Sequence, residues 1–256
     1  MDKIGDAADF LWSAHRARKT YTNLPPDLAP RDAKEAYAMQ DAFHALAAPT
    51  RGEVAGMKIA TTTKVMQELM GIDHPCGGGI FAKTIHQSPA RLACADFVNL
   101  RIECEIAVRV ASELSGRGPF TAENVGEDVV EIMPAFELIE DRHAVYRETK
   151  ALSMIADNCW NAGIVVGPAK KFDRSIDIDA LRGRLTINGK LISEGKADRP
   201  LGALAWLANL ALERGTPIAK GMVVITGSLV ATVSVSPGDT AVFAVDGLGE
   251  VRLELT

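Results

Sequence analysis

The stretch Leu100-Arg101-Ile102-Glu103-Cys104-Glu105-Ile106-Ala107-Val108 reads as a buried strand interrupted by two acids one position apart. Alternate side chains of a strand share a face, so Glu103 and Glu105 project together while Ile102, Cys104 and Ile106 take the other side. Like charges side by side repel and are costly to desolvate, so a half-buried strand carries such a pair when something positive compensates it. A divalent cation meets that need. Downstream, Met133-Pro134-Ala135-Phe136-Glu137-Leu138-Ile139-Glu140-Asp141-Arg142 is a second apolar run with Glu137 near its centre. Three carboxylates from two strands offer hard oxygen ligands suited to Mg2+ or Mn2+, with positions left for water and substrate. Spacing alone leaves another reading open, in which Glu103 and Glu105 form the solvated face of an edge strand and Glu137 pairs with Arg142 or Arg101.

Either side of this strand pair the chain changes character. Asp6 to about Lys19 has helical periodicity, and Asp32 with Glu35 three positions on has capping-box spacing for a helix continuing through Met39, Phe43 and Leu46. The prolines of Leu24-Pro25-Pro26-Asp27-Leu28-Ala29-Pro30 make the stretch between them a linker. Val54 to Ala60 reads as a strand and Lys64 to Met70 as a short helix; Gly77-Gly78-Gly79 reads as a mobile or tightly turned loop. The second half is strand-rich, with Asn188-Gly189 as a type I′ hairpin turn and one helix from Leu201 through Leu212. Strands outnumber helices and are joined mostly by turns, which points to an α+β fold with a largely antiparallel, rolled sheet. We expect a helical N-terminal segment over 1–50 and a catalytic domain over 51–256.

At 256 residues, 47% hydrophobic and 24% charged, the chain can bury a substantial core. A net charge of -5 with scattered basic residues argues against a nucleic-acid partner. No apolar stretch reaches membrane-spanning length and the N-terminal residues do not resemble a signal peptide, so a cytoplasmic location without a membrane partner is expected. Cys76, Cys94, Cys104 and Cys159 show no CxxC spacing, which favours reduced thiols and disfavours zinc.

Several segments, in order, resemble the fumarylacetoacetate hydrolase superfamily, in the branch of 2-keto-4-pentenoate hydratase and 4-oxalocrotonate decarboxylase. They are Gly56-Met57-Lys58-Ile59, Gly71-Ile72-Asp73-His74-Pro75, the Glu103/Glu105 strand, Pro134-Ala135-Phe136-Glu137-Leu138-Ile139, Ile155-Ala156-Asp157-Asn158, Leu204-Ala205-Trp206-Leu207-Ala208-Asn209 and Thr226-Gly227-Ser228-Leu229. The resemblance implies a distorted β-roll or barrel core, a homo-oligomer, and a cation held by Glu103, Glu105 and Glu137 that chelates a small 2-oxo acid. It further implies Lys58 and Asp157 as catalytic groups. Ile106 (through its backbone amide), Asn158, Trp160, Gly227 and Ser228 would contact substrate.

Departures from the pattern accompany these matches. Cys76 stands where the hydratases place an Asp, Trp160 where they carry a small hydroxyl residue, and Arg199 where they carry a His. The expected activity is a metal-dependent lyase, adding water to a 2-hydroxydienoic acid or releasing carbon dioxide from a dicarboxylate; Arg199 or Arg142 near the site would favour the dicarboxylate. The alternatives are a hydrolase of acylpyruvates or β-diketones, using His74 or His86, and a catalytically weakened subunit that organises a partner enzyme.

Overall fold

A computed structural model describes residues 2–256. Helices α1 (Lys3–Arg16) and α2 (Ala33–Arg51) are followed by β1 (Val54–Ala60), α3 (Lys64–Met70), β2 (Cys76–Phe81), β3 (Ile85–Gln87), β4 (Ala90–Leu92) and β5 (Leu100–Val110). Then come α4 (Ala122–Val125), β6 (Val129–Glu140), α5 (Ala151–Ala156), β7 (Asn161–Val166), β8 (Lys170–Lys171), β9 (Arg182–Ile187) and β10 (Lys190–Lys196). The chain ends with α6 (Pro200–Glu213), β11 (Val223–Ser228), β12 (Val233–Ser234), β13 (Thr240–Val245) and β14 (Gly249–Leu255).

The main sheet runs in the order β2-β1-β11-β5-β6-β7-β3, antiparallel except for β1 with β11 and β3 with β7. Its two end strands are consecutive in the chain, separated only by Ala82–Thr84, so the ends of the path come together although no ladder joins them. The roll encloses a small core: Ile80, Ala107, Met133, Ala135, Ile164, Val166, Val223 and Ile225 pack as one cluster. A second sheet, β10-β9-β13-β14-β4, covers the outer face. There Ile102, Cys104, Ile106 and Val108 meet Leu185, Phe243 and Leu253. The fold is the expected α+β roll, but it is not a closed barrel.

The alternation read from β5 holds: its even-numbered apolar residues lie in the outer core, and Ala107, which shares a face with Glu103 and Glu105, lies in the inner one. Asp32 accepts from the Glu35 N–H at 2.8 Å as a helix cap. Asn188 and Gly189 both have positive φ (52° and 76°), as a type I′ turn demands.

The triglycine is different. Gly77–Gly79 lie within β2, a wholly buried strand rather than a loop. Neighbouring elements press on its backbone, and a Cβ at Gly78 would sit 2.9 Å from the Asn158 carbonyl oxygen. Glycine serves close approach there, not turning. Asn158 is what crosses the gap in the roll: its Oδ1 accepts from the Gly79 N–H at 2.7 Å and its Nδ2 donates to the Gly79 carbonyl at 2.9 Å. Across the gap Gly163, at φ 143°, makes room for Thr84.

Helices α1 and α2 bury Ala7, Leu11, Met39 and Phe43 against Phe81 and Ala156. A buried ionic chain ties them down as well. Asp157 accepts from His15 Nε2 at 2.7 Å and from Arg142 Nη2 at 2.5 Å, and Arg51 Nη2 lies 3.4 Å from His15 Nδ1.

Candidate metal centre

The register of β5 against β6 sets Glu103 directly opposite Glu137. Glu105, two residues along β5, pairs in register with Ser228 of β11. One carboxylate oxygen from each of Glu103, Glu105 and Glu137 lies within 4.8 Å of the other two. Each side chain is held on one oxygen. Glu103 Oε1 accepts from the Thr232 hydroxyl, Glu105 Oε2 from the Gly227 N–H at 2.7 Å, and Glu137 Oε1 from Asn161 Nδ2 at 2.9 Å. Glu105 Oε1 and Glu137 Oε2 are buried with no partner at all.

Buried carboxylate oxygens without donors are expensive. Burial, with Glu137 and Glu103 close by, raises the Glu105 carboxyl well above its ordinary range. Burial also raises Glu137, to about 7, although Lys58 opposes it. Lys58 Nζ is 2.9 Å from Glu137 Oε1 and 3.3 Å from the Cys159 carbonyl. Its side chain is only 3% exposed, which rules out a solvated strand-end lysine. Burial disfavours the ammonium, but the charges of Glu137 and Glu103 outweigh it and raise the Lys58 pKa. Three carboxylates against one ammonium leave two negative charges unbalanced. With the three carboxylates clustered and two of their oxygens unpartnered, the donor set fits a hard divalent cation in both charge and chemistry.

Above this cluster opens a cavity of about 570 Å3, reached by Lys58 and Glu103 and walled by Met66, Met70, Ile139 and Trp160. Gly227 and Ser228 line it. Gly227 supplies its N–H to Glu105, and the Ser228 hydroxyl is turned back onto the backbone of Cys104 and Val230. Trp160 lies edge-on to Tyr21 and Tyr146, with ring centroids 5.2 and 5.3 Å away.

Other expected site residues lie elsewhere. Asp157 is fully buried in its ion pairs with His15 and Arg142, immediately before the turn at 158–160, and does not line the cavity. Asn158 is consumed in bridging β2. Residues 158–160 all have positive φ (54°, 48° and 59°), and this left-handed run is what brings the Cys159 carbonyl to Lys58. Ile106 does not line the cavity: its side chain packs in the outer core and its carbonyl accepts from Thr226. His74 and His86 are not among the lining residues, and neither is Cys76, which is buried in β2. Arg199 is an exposed surface residue with its side chain 83% accessible, and Arg142 is sealed below. Sequence reading did not find Asn161, Thr232 or Tyr146, and took Arg101 only as an alternative ion-pair partner of Glu137. No motif marks them; strand register, the Val230–Thr232 loop and the short helical turn at Tyr146–Glu148 bring them in.

The family description Fumarylacetoacetate (FAA) hydrolase C-terminal matches residues 80–256. The chain belongs to this family. It is 29% identical over 255 residues to 2-keto-4-pentenoate hydratase of Paraburkholderia phymatum, covering 98% of this chain and 97% of that one. It is 27% identical over 242 residues to 4-oxalocrotonate decarboxylase of Pseudomonas putida, covering 93% and 89%. Among solved structures, 4-oxalocrotonate decarboxylase from Pseudomonas putida G7, complexed with magnesium and adipate, superposes with a TM-score of 0.90 at 24% identity over 100% of this chain and 98% of that one. No described helix is long and apolar enough to cross a membrane.

Proposed function

We propose that this chain is a divalent-metal-dependent lyase acting on a 2-oxo or 2-hydroxydienoic acid, as a hydratase or a decarboxylase. The reading rests on the cluster of Glu103, Glu105 and Glu137 beside Lys58, in which Glu105 and Glu137 each keep a buried oxygen without a partner. The names of the full-length relatives support it. Glu103, Glu105 and Glu137 would hold Mg2+ or Mn2+, which supplies a Lewis acid for the carboxylate and 2-oxo oxygens of a substrate. Lys58 Nζ, fixed between Glu137 and the Cys159 carbonyl, holds the proton that moves to or from a substrate carbon. Met66, Met70, Ile139 and Trp160 offer an apolar wall to the carbon chain, and the Gly227 N–H fixes Glu105 while leaving one oxygen free.

The same reading takes residues 1–50 as a helical brace on a catalytic domain over 51–256, joined through His15 and Asp157. It also takes the protein to be a homo-oligomer, consistent with Leu191 and Ile192 standing exposed on edge strand β10. A hydrolase would need His74 or His86 at the cavity. A weakened subunit would not be expected to keep Lys58 and all three carboxylates.

Turnover of 2-hydroxypenta-2,4-dienoate and of 4-oxalocrotonate, followed by ultraviolet absorbance with Mn2+ and with EDTA, tests the proposal. Metal-dependent consumption of either compound is the expected result. Failure of both with metal present overturns it.

A further inference from the structure

Lys58 owes its second contact to a strained piece of backbone. The Cys159 carbonyl that it reaches at 3.3 Å sits in the left-handed run 158–160, and consecutive non-glycine residues at positive φ keep that shape only when their surroundings enforce it. The enforcement comes from helix α2. Tyr37, Gln40 and His44 follow one another at spacings of three and four, so they share one face of that helix. The Tyr37 hydroxyl accepts from the Gly77 N–H at 3.0 Å, and Gln40 Nε2 donates to the Gly77 carbonyl at 2.9 Å and to the Ile155 carbonyl at 2.7 Å. His44 Nε2 lies 2.8 Å from Asn158 Oδ1. None of the three lines the cavity.

Of the three, His44 is the one bonded to the left-handed run itself. Gly79 orients the Asn158 carboxamide, accepting from its Nδ2 and donating to its Oδ1. His44 Nε2 therefore faces an acceptor, and only a proton on Nε2 makes the contact a hydrogen bond. Burial lowers the His44 pKa, so the neutral ring carries a single N–H, and Nε2 has it. The ring has little room to turn. It stands edge-on to Phe81 with centroids 5.3 Å apart, and a Cβ on Gly79 would fall 2.8 Å from its Cε1. Gly79 is thus bare toward His44 as Gly78 is toward Asn158.

We propose that His44 is a positioning residue for the reaction: through Asn158 it holds the Cys159 carbonyl against Lys58 and so fixes the ammonium beside Glu137. The proposal rests on the lyase reading above, in which Lys58 carries the proton. It makes α2 a support for the chemistry, although that helix lies outside residues 80–256 and adds nothing to the cavity wall.

Cys159-Trp160 is the only Cys-Trp pair in the chain. Protein labelled at the cysteine carbonyl carbons and the tryptophan nitrogens therefore gives one NMR correlation, which reports the Cys159 carbonyl. His44→Gln keeps a donor at the reach of Nε2, and His44→Leu removes it. His44→Leu should shift or split that correlation and lower kcat about ten- to a hundredfold, with KM and Mn2+ affinity held within about threefold, the pattern of a lost orienting partner. His44→Gln should keep the wild-type correlation and recover most of kcat. An unmoved correlation or an unchanged kcat in His44→Leu overturns the proposal, as does equal damage in both variants, which is packing alone. Wild type decides as well, with no variant required to fold: long-range proton–nitrogen spectra of the His44 ring should place the proton on Nε2, and a proton on Nδ1 sinks the proposal. If wild type turns over neither 2-hydroxypenta-2,4-dienoate nor 4-oxalocrotonate, the lyase reading falls and takes this one with it. Loss of the correlation shift or of the Nε2 proton, with wild-type turnover intact, removes this one alone.

Discussion

Replacing Asp157 with Asn separates a structural role from a chemical one. Asp157 is the only carboxylate in ion-pair contact with Arg142 among the described residues, and Arg142 is 1% exposed with Nε and Nη1 already lacking partners. The carboxamide keeps the shape and removes the charge, leaving a buried guanidinium uncompensated. Removing one partner of such a pair costs about 3 to 5 kcal/mol. For a chain of this size that corresponds to a fall of roughly 6 to 20 °C in Tm. The pH dependence has a definite sign. Although burial opposes it, His15 and Arg142 hold the Asp157 carboxyl below its ordinary 3.8. Its contribution is therefore fully present above that value and is lost as pH falls through the lower folded-state value. Wild type should lose stability faster than the variant on acidification below about pH 4. Urea unfolding from pH 3 to 7, with kinetics on the folded variant, makes the comparison. A loss under about 1 kcal/mol combined with abolished kcat would refute the structural assignment, because it would mean that Asp157 acts on substrate.

Three further outcomes follow from the site. Glu105→Gln and Glu137→Gln should each weaken Mn2+ binding at least about tenfold by calorimetry, and unchanged affinity in both would remove the metal centre. Lys58→Ala should lower kcat by about 10^2 to 10^4 while Mn2+ binding is retained, since it removes a proton carrier and also relieves charge competition at Glu137; a change confined to KM would count against its proton role. Trp160→Ser empties space between Tyr21 and Tyr146 and should cost about 3 to 5 kcal/mol. If the indole also excludes shorter dienoates, the same variant gains turnover on them; thermal midpoint and kinetics measured together separate packing from specificity.

The strand pair bearing the acids was legible because period-two alternation is a local property: Ile102, Cys104 and Ile106 had to share a face, so Glu103 and Glu105 had to share the other. That Glu137 would stand opposite Glu103 was not, since register depends on bulges and on both neighbouring strands. Gly77–Gly79 misled because one residue type answers two demands, positive φ and close packing, and composition does not say which. The ionic partners of Asp157 were hidden for a similar reason. Next to Asn158 in a family-like run the residue read as chemistry, but its partners are His15 and Arg142, and nothing in the chain marks three residues so far apart as one ionic group.

The carboxamide of Asn158 gives the roll an unusual weak line. Every other junction of the main sheet is a ladder whose hydrogen bonds open together, whereas the gap between β2 and the turn before β7 is spanned by side chains: Asn158 bonded twice to Gly79, and Cys159 Sγ and Gln40 Nε2 on the Gly77 carbonyl. Hydrogen exchange at the Gly79 amide therefore reports a motion of its own, the parting of this gap, separate from melting of the β1–β2 pair and from global unfolding. Because residues 158–160 also present the Cys159 carbonyl to Lys58, protection at that single amide is a clock for how long the floor of the cavity stays assembled.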